Sequence, residues 1–340
     1  MLWTDLIDPA TLTGYARASM QDHEEKRNYL AHYLPNRSVP SLSVRFNRGV
    51  SGMVEAAEFR AYDAELEVGE RRGTERVTLD LPTLGQRLPV SEYDQLTLRN
   101  ASNGEFLNEV KGTARAVARA VADRMEYQRG QLLATGRATI DQARYKLDED
   151  FGRKAEFNVT ATKLWSDPSA DVVEELRTWV EAYRDENDED PGEILLSTKA
   201  YRALRKMSVF QNTVTGRPVT DRDIEAILLD HDIPALRKYD RKVKLRGKGV
   251  VRVIPEDTII LLPASVGTDD YEGTDLGASY WGQTLTSSEL SWGIEPEYRP
   301  GIVTGVYRNE KPPVIAEVIS DAIGMPVLAN ANLSMAAKVL

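Results

Sequence analysis

Apolar and polar residues alternate one by one from Arg76 to Pro82. Val77, Leu79 and Leu81 point one way, and Arg76, Thr78 and Asp80 the other, the period of a strand with one buried face. The longer stretch Val54–Pro82 reads as two strands around a charged turn, Gly69 to Gly73, which carries Glu70, Arg71 and Arg72. A two-stranded ribbon is marginal alone in water, so its apolar face needs something to lie on.

A helical period takes over at Asn103–Gly136. Phe106, Val110, Val117, Val121, Met125 and Leu132 fall near one stripe, with Ala114 and Ala118 beside it. Gly136 suits the left-handed residue that ends a helix. Some 30 residues make a rod of roughly 45 Å, long for a compact domain of this size.

Around these two landmarks the chain reads in order. Residues 1 to 34 form an amphipathic helical arm that stops at Pro35 and Pro40. A short strand, Leu42–Phe46, precedes the ribbon, and "LPTLGQRLPVSEYDQL" is a proline-punctuated return. After the rod come short strands at Ala138–Ile140, Tyr145–Leu147 and Glu156–Thr160. A helix capped by Ser169 or Asp171 follows, carrying Val172, Val173, Leu176, Val180 and Tyr183. Next are an acidic loop, a buried-type strand Ile194–Ser197, a helix from about Thr198, another in "DRDIEAILLDHDI", and two strands ending at Pro263. This part has the rhythm of an α/β lobe. The glycine- and serine-rich stretch from Val266 to Gly293 reads as a long irregular loop, and the C-terminal end as three or four short strands.

Composition narrows the function. The net charge of −10 argues against a dedicated sequence-reading nucleic-acid binder, which carries a basic footprint. Cysteine is absent, which excludes disulfides, thiol catalysis and zinc–thiolate sites. No apolar run reaches about 18 residues, and the N-terminus lacks the apolar core of a signal peptide, so a cytosolic protein is expected.

Catalytic, cofactor-binding and metal-binding residues are all expected to be absent. His23, His32 and His231 lack metal or triad spacing. "DENDEDPGE" from Asp185 resembles a calcium loop until its sixth position, Asp190, where glycine is required. No phosphate-binding or nucleophile-elbow motif occurs, and "RGKGVVR" reads as a turn before a strand. Lys111, Arg115 and Arg119 repeat every four residues on the rod, with Glu109 and Asp123 in reach. The ordinary reading is a solvated or inter-subunit salt-bridging ridge; the alternative is a face that grazes phosphate non-specifically.

The order of parts, together with "LPNRSV", "VEAAEFRAYDAE", "LPVSEYDQL", "RGQLLATGRATI" and "ASYWGQT", resembles tailed-bacteriophage major capsid proteins of the lambda capsid-protein E type. The resemblance implies an α+β fold of the Hong Kong 97 capsid type: an N-arm at 1–48, an extended β-hairpin loop at 49–98, a peripheral domain with a spine helix at 99–165 and 301–340, and an axial α/β domain at 166–300. It implies homo-pentamers and homo-hexamers closing an icosahedral head around a double-stranded DNA genome, and residence in the virion after synthesis in the host bacterial cytoplasm. The ribbon would lie across a neighbouring subunit, making Glu70, Arg71, Arg72, Val77, Leu79 and Leu81 candidate inter-subunit contacts. Other implied partners are a portal, a separate scaffold protein (the arm is short and lacks heptads), a decoration protein, and packaged DNA near the Lys111–Arg119 ridge; no membrane is implied.

Some relatives weld the shell through a lysine in the extended loop. No lysine lies between Phe46 and Gln95, so that cross-link is chemically unavailable here. Two other readings remain at this stage: an encapsulin-like compartment sharing the fold, and a metal-independent hydrolase with the glycine-rich loop as its lid.

Overall fold

The structure is a computed structural model and describes residues 2–27, 29–48, 75–98, 103–143, 145–210 and 219–340. The chain opens with helix α1 (Pro9–Arg27). The Asp8 side chain accepts from the Thr11 amide at 3.0 Å, and proline fits the first helical position. Leu12, Ala16 and Met20, spaced by four, bury one face. After a short 3-10 turn (Tyr29–His32) comes strand β1 (Asn36–Ser38). The expectation that Pro35 and Pro40 end regular structure is corrected here: the residues between them pair with a distant strand, Asn36 opposite Ser279 and Ser38 opposite Trp281.

Strand β2 (Ser43–Arg48) runs antiparallel to β3 (Glu75–Asp80), with Val44 opposite Leu79 and Phe46 opposite Val77. The expected alternation holds: Leu79 is buried, Val77 half-buried, and Arg76, Thr78 and Asp80 exposed. The buried face has cover within its own chain. Leu79 and Leu81 pack with Val44, Phe46 and Phe151 in the chain's own core, and the Phe46 and Phe151 rings lie 5.2 Å apart. The strand expected before the turn, and the turn with Glu70, Arg71 and Arg72, lie outside the described residues. The proline-punctuated return is a strand, β4 (Thr83–Val90), then helix α2 (Glu92–Leu98). Pro89 is tolerated because β4 is an edge strand among the described residues.

The rod is helix α3 (Asn103–Thr135), 33 residues and about 50 Å long. Val110, Ala114, Val117, Ala118, Val121, Met125 and Leu132 are buried and Phe106 is partly buried, as the stripe predicts. Gly136 ends it at φ +70°, donating its amide to Leu132 O at 2.8 Å. A hairpin follows, β5 (Arg137–Gln142) with β6 (Tyr145–Asp150), and then β7 (Asn158–Thr160).

The second half opens with the capped helices α4 (Val172–Asn187), α5 (Thr198–Leu204) and α6 (Asp221–Asp230). Asp171, Ser197 and Thr220 supply the cap oxygens, and Thr220 forms a reciprocal box with Asp223. Its strands are β8 (Glu193–Leu196), β9 (Ala235–Lys238), the pair β10 (Lys242–Leu245) and β11 (Gly249–Arg252), and β12 (Thr258–Leu262). Then come β13 (Gly277–Gly282), the short helix α7 (Leu285–Ser288), β14 (Val303–Arg308), β15 (Ala316–Leu328) and β16 (Met335–Lys338).

Two five-stranded sheets organise these strands. In one, the 13-residue β15 carries β4 along one edge and β14 followed by β13 along the other, with β1 outside β13. In the other, the order is β7-β16-β12-β8-β9. The stretch expected to be a long irregular loop therefore contains an inner strand, all six residues of β13 being buried. A strand covered on both faces shows no alternation. Gly277 is required there, since a Cβ would sit 2.2 Å from Val327 O. The sheets also cut across the expected segment boundaries: β13, inside 166–300, belongs with β15, while β7 and β16, outside it, belong with β12.

Candidate functional site

Helix α3 is the element that both sheets and the arm hold in common, and its buried face is not wholly apolar. Val117, Val121 and Met125 form an i+4 row whose next member is Arg129, fully buried. The neighbouring row, Ala118 and Ala122, continues to Glu126, also fully buried. Two charges in an apolar stripe require partners.

Those partners come from several other parts of the chain. Arg129 Nη1 donates to Glu24 Oε1 of α1 at 2.7 Å, Nη2 to Asn36 Oδ1 of β1 at 2.9 Å, and Nε to Ser279 Oγ of β13 at 2.8 Å. Asn36 in turn donates to Glu24 Oε2 at 2.8 Å and accepts from the Trp281 indole at 2.8 Å. Glu126 Oε1 accepts from Tyr239 OH at 2.5 Å, beyond the end of β9, and from the Leu30 amide at 3.1 Å. Its other oxygen is 3.6 Å from Arg129 and has no hydrogen bond. Burial pushes the Glu126 carboxyl up to about 7, against the pull of Arg129 and its hydrogen bonds. Burial and the neighbouring Glu126 carboxylate raise the Tyr239 hydroxyl well above its usual range.

One turn earlier, Asp123 Oδ1 accepts from His23 of α1 at 2.9 Å and from Arg241 at 2.6 Å. Partial burial raises this carboxyl, but the two donors outweigh it and hold it below the usual value. At the far end of the helix, the buried Arg153 donates to Leu133 O at 2.7 Å, Ala134 O at 2.8 Å and Ser334 O at 3.2 Å. It satisfies the last helical carbonyls and ties them to the strand-β16 segment. The spine is thus pinned to the arm and to both sheets by charged, directional contacts.

The sequence-expected residues fall elsewhere. Leu79 and Leu81 are buried within their own chain. On the rod, Lys111 is half-buried, and Arg115 and Arg119 are exposed. Arg115 hydrogen-bonds to Tyr15 OH of α1 and stacks over its ring, 5.6 Å from the centroid. Asp123, expected beside the ridge, is engaged by His23 and Arg241 instead. His32 Nδ1 donates to Val266 O at 2.8 Å, and exposed His231 ends α6. The Arg129–Glu24–Glu126 network was missed; its visible signal was a pair of charges continuing two apolar i+4 rows.

Comparison with known proteins follows the same outline. A family model described as phage major capsid protein E matches residues 22–274. A solved structure described as a prophage capsid protein of E. coli CFT073 has a TM-score of 0.65 at 13% identity, covering 98% of this chain and 99% of its own. A phage-related protein from Bordetella bronchiseptica RB50 has a TM-score of 0.57 at 15% identity, covering 97% and 96%. A chain of the satellite phage P4 procapsid has 0.51 at 10% identity, covering 96% and 90%. No curated protein sequence matches.

Proposed function

The chain belongs to the phage major capsid protein E family, and from that premise we propose how it builds a shell. It is a structural capsid protein of the virion with the Hong Kong 97 fold, not an enzyme, and it associates with itself. The proposal concerns the finer arrangement. The chain closes into pentamers and hexamers through head-to-tail contacts, and these complete an icosahedral head around double-stranded DNA.

In this reading the sheet of β15 with the spine forms the peripheral body, and the sheet of β12 with α4 to α6 forms the axial lobe. The extended loop, 49–98, reaches a neighbouring subunit, with Glu70, Arg71 and Arg72 as contact candidates. Synthesis takes place in the host bacterial cytoplasm. A separate scaffold and a portal direct assembly, and a decoration protein reinforces the three-fold positions. Packaged DNA meets the wall without sequence readout, consistent with a chain of net charge −10.

The observation that carries the reading is the spine: one 33-residue helix pinned to the arm and to both sheets. Such a rod gives each subunit a fixed frame on which ring contacts can add up across a shell. The test is expression of the chain alone and with its scaffold, followed by negative-stain electron microscopy and size exclusion. Rings, tubes or closed shells are expected. A monomer or dimer under both conditions overturns the reading.

A further inference from the structure

The sheet β7-β16-β12-β8-β9 carries opposite charges at its two ends. At the end where β8 and β9 finish and β12 begins stands the β10–β11 hairpin. Lys242, Lys244, Arg246 and Lys248 lie within seven residues of this hairpin, all exposed. None has an acidic partner among the described residues. The hairpin's root is already satisfied: Arg241 is held by Asp123, and Arg252 by Asp240 and Glu256. Val243, on the inner face, is buried, while Val250 is two-thirds exposed at 67%. The hairpin is therefore anchored at its base and offers a ribbon of free cations with an apolar side chain among them.

At the opposite end, where β8 and β9 begin, lie the acidic last turn of α4 and the loop after it. Asp185, Asp188 and Glu189 are exposed, with Asp232 and Asp275 nearby. Asp185 and Asp188 have no cationic partner among the described residues. Partial burial and the charge of Asp275 raise the Glu189 carboxyl, a repulsion the chain itself leaves unrelieved. At about 3.3 Å per residue, the two ends are on the order of 15 Å apart along the strands. No ion pair joins the hairpin cations to these acids within the chain among the described residues.

We propose that the β10–β11 hairpin of one copy docks on the Asp185–Glu189 segment, at the end of α4, of the next copy in the ring. This rests on the capsid reading above and assigns the axial contact within it. A surface with a basic patch at one end and an acidic patch at the other is complementary to itself in a head-to-tail sense, the geometry that closes rings. The pairing also fixes direction, because segment-to-segment or hairpin-to-hairpin approaches set like charges together.

The test uses the full chain with its scaffold and two charge-reversed forms. One carries Lys242→Glu, Lys244→Glu, Arg246→Glu and Lys248→Glu; the other carries Asp185→Lys, Asp188→Lys and Glu189→Lys. Thermal unfolding of the unassembled subunits checks folding, and a Gln-for-cation hairpin replaces any form that does not fold. Each form alone should lose shell yield by roughly tenfold or more. The chain carrying both sets should regain it. An equal mixture of the two single-set forms should give six-membered but not five-membered rings, because strict alternation closes only an even ring.

Unchanged yield in both single-set forms, with normal assembly of the unaltered chain, overturns this contact and leaves the capsid reading intact. Normal shells that retain less DNA when the hairpin is reversed assign the hairpin to nucleic acid and also overturn the contact. Failure of the unaltered chain to assemble overturns the capsid reading itself.

Discussion

Arg129 and Glu24, 105 positions apart in sequence, form an ion pair of 2.7 Å with neither side chain exposed to solvent. The pair joins the spine to the arm at the point where β1 and β13 also meet. A buried pair of this kind adds less to stability than its short distance suggests, because both ions gave up hydration. Its larger effect is to make any other docking of the arm costly, since a displaced arm strands the charges.

Breaking that pair from one side should therefore be severe. Arg129→Met leaves Glu24 and Glu126 buried without a counter-charge, and the isolated subunit should lose about 3–5 kcal/mol of unfolding free energy in urea. Adding Glu24→Gln to Arg129→Met should recover part of that loss, since one stranded carboxylate is gone. A cost below about 1 kcal/mol for the single change would contradict the assignment.

The raised carboxyl of Glu126 predicts the sign of a pH effect. Its ordinary value is 4.5 and its folded value about 7. Between these, the folded state holds a proton that the unfolded state has released. This contribution is full below about pH 4.5 and is lost as pH rises through about 7, with a slope of at most about 1.4 kcal/mol per pH unit from this group. The groups facing Glu126 are Arg129 on its own helix, Glu24 of α1, the Leu30 amide and Tyr239. Urea unfolding from pH 5 to 8 should show the decline, and Glu126→Gln should flatten it; an unchanged slope would remove Glu126 as the cause.

Gly136→Ala tests the end of the spine. The position needs φ +70°, and a new Cβ would lie 2.9 Å from the Cβ of Arg153. A loss of at least about 1 kcal/mol is expected from the backbone alone. A melting temperature equal to that of the unaltered subunit would show that the helix can end otherwise.

Leu79→Ala distinguishes an internal strand face from an inter-subunit one. Because Leu79 is buried within its own chain, the unassembled subunit should lose about 2–4 kcal/mol. Thr78→Ala on the exposed face should change stability by less than about 0.5 kcal/mol. If Leu79→Ala weakened shells while sparing isolated subunits, the internal placement would be wrong.

The absence of lysine between Phe46 and Gln95 predicts a gel result. Purified particles boiled in denaturant should run as a single monomer band. A ladder of covalent multimers would show a cross-link formed from another part of the chain.

Much of the frame was legible before the structure. The spine, its end at Gly136, the alternation in β3, and the capped helices of the α/β lobe all follow from local periods that burial imposes directly. β13 was not legible, because an inner strand rich in glycine and serine carries neither alternation nor bulk. β1 was hidden for another reason: three residues between two prolines form a strand only when a distant edge is available. The pairing of β3 with β2 was not legible either, because pairing is a long-range choice that a strand's own pattern does not encode. The buried network was missed because Glu24 and Arg129 each read alone as ordinary helix-surface charges. Their coincidence in space depends on how α1 packs on α3.

The placement of β15 and β16 has a kinetic consequence. One supplies the central strand of the first sheet and the other an inner strand of the second, and both come from residues 316–338. During synthesis, neither sheet can close until this late segment has left the ribosome. Their contacts span most of the chain, so folding is dominated by slow, non-local pairing. A growing chain therefore holds neither sheet in finished form until residues 316–338 are free to pair.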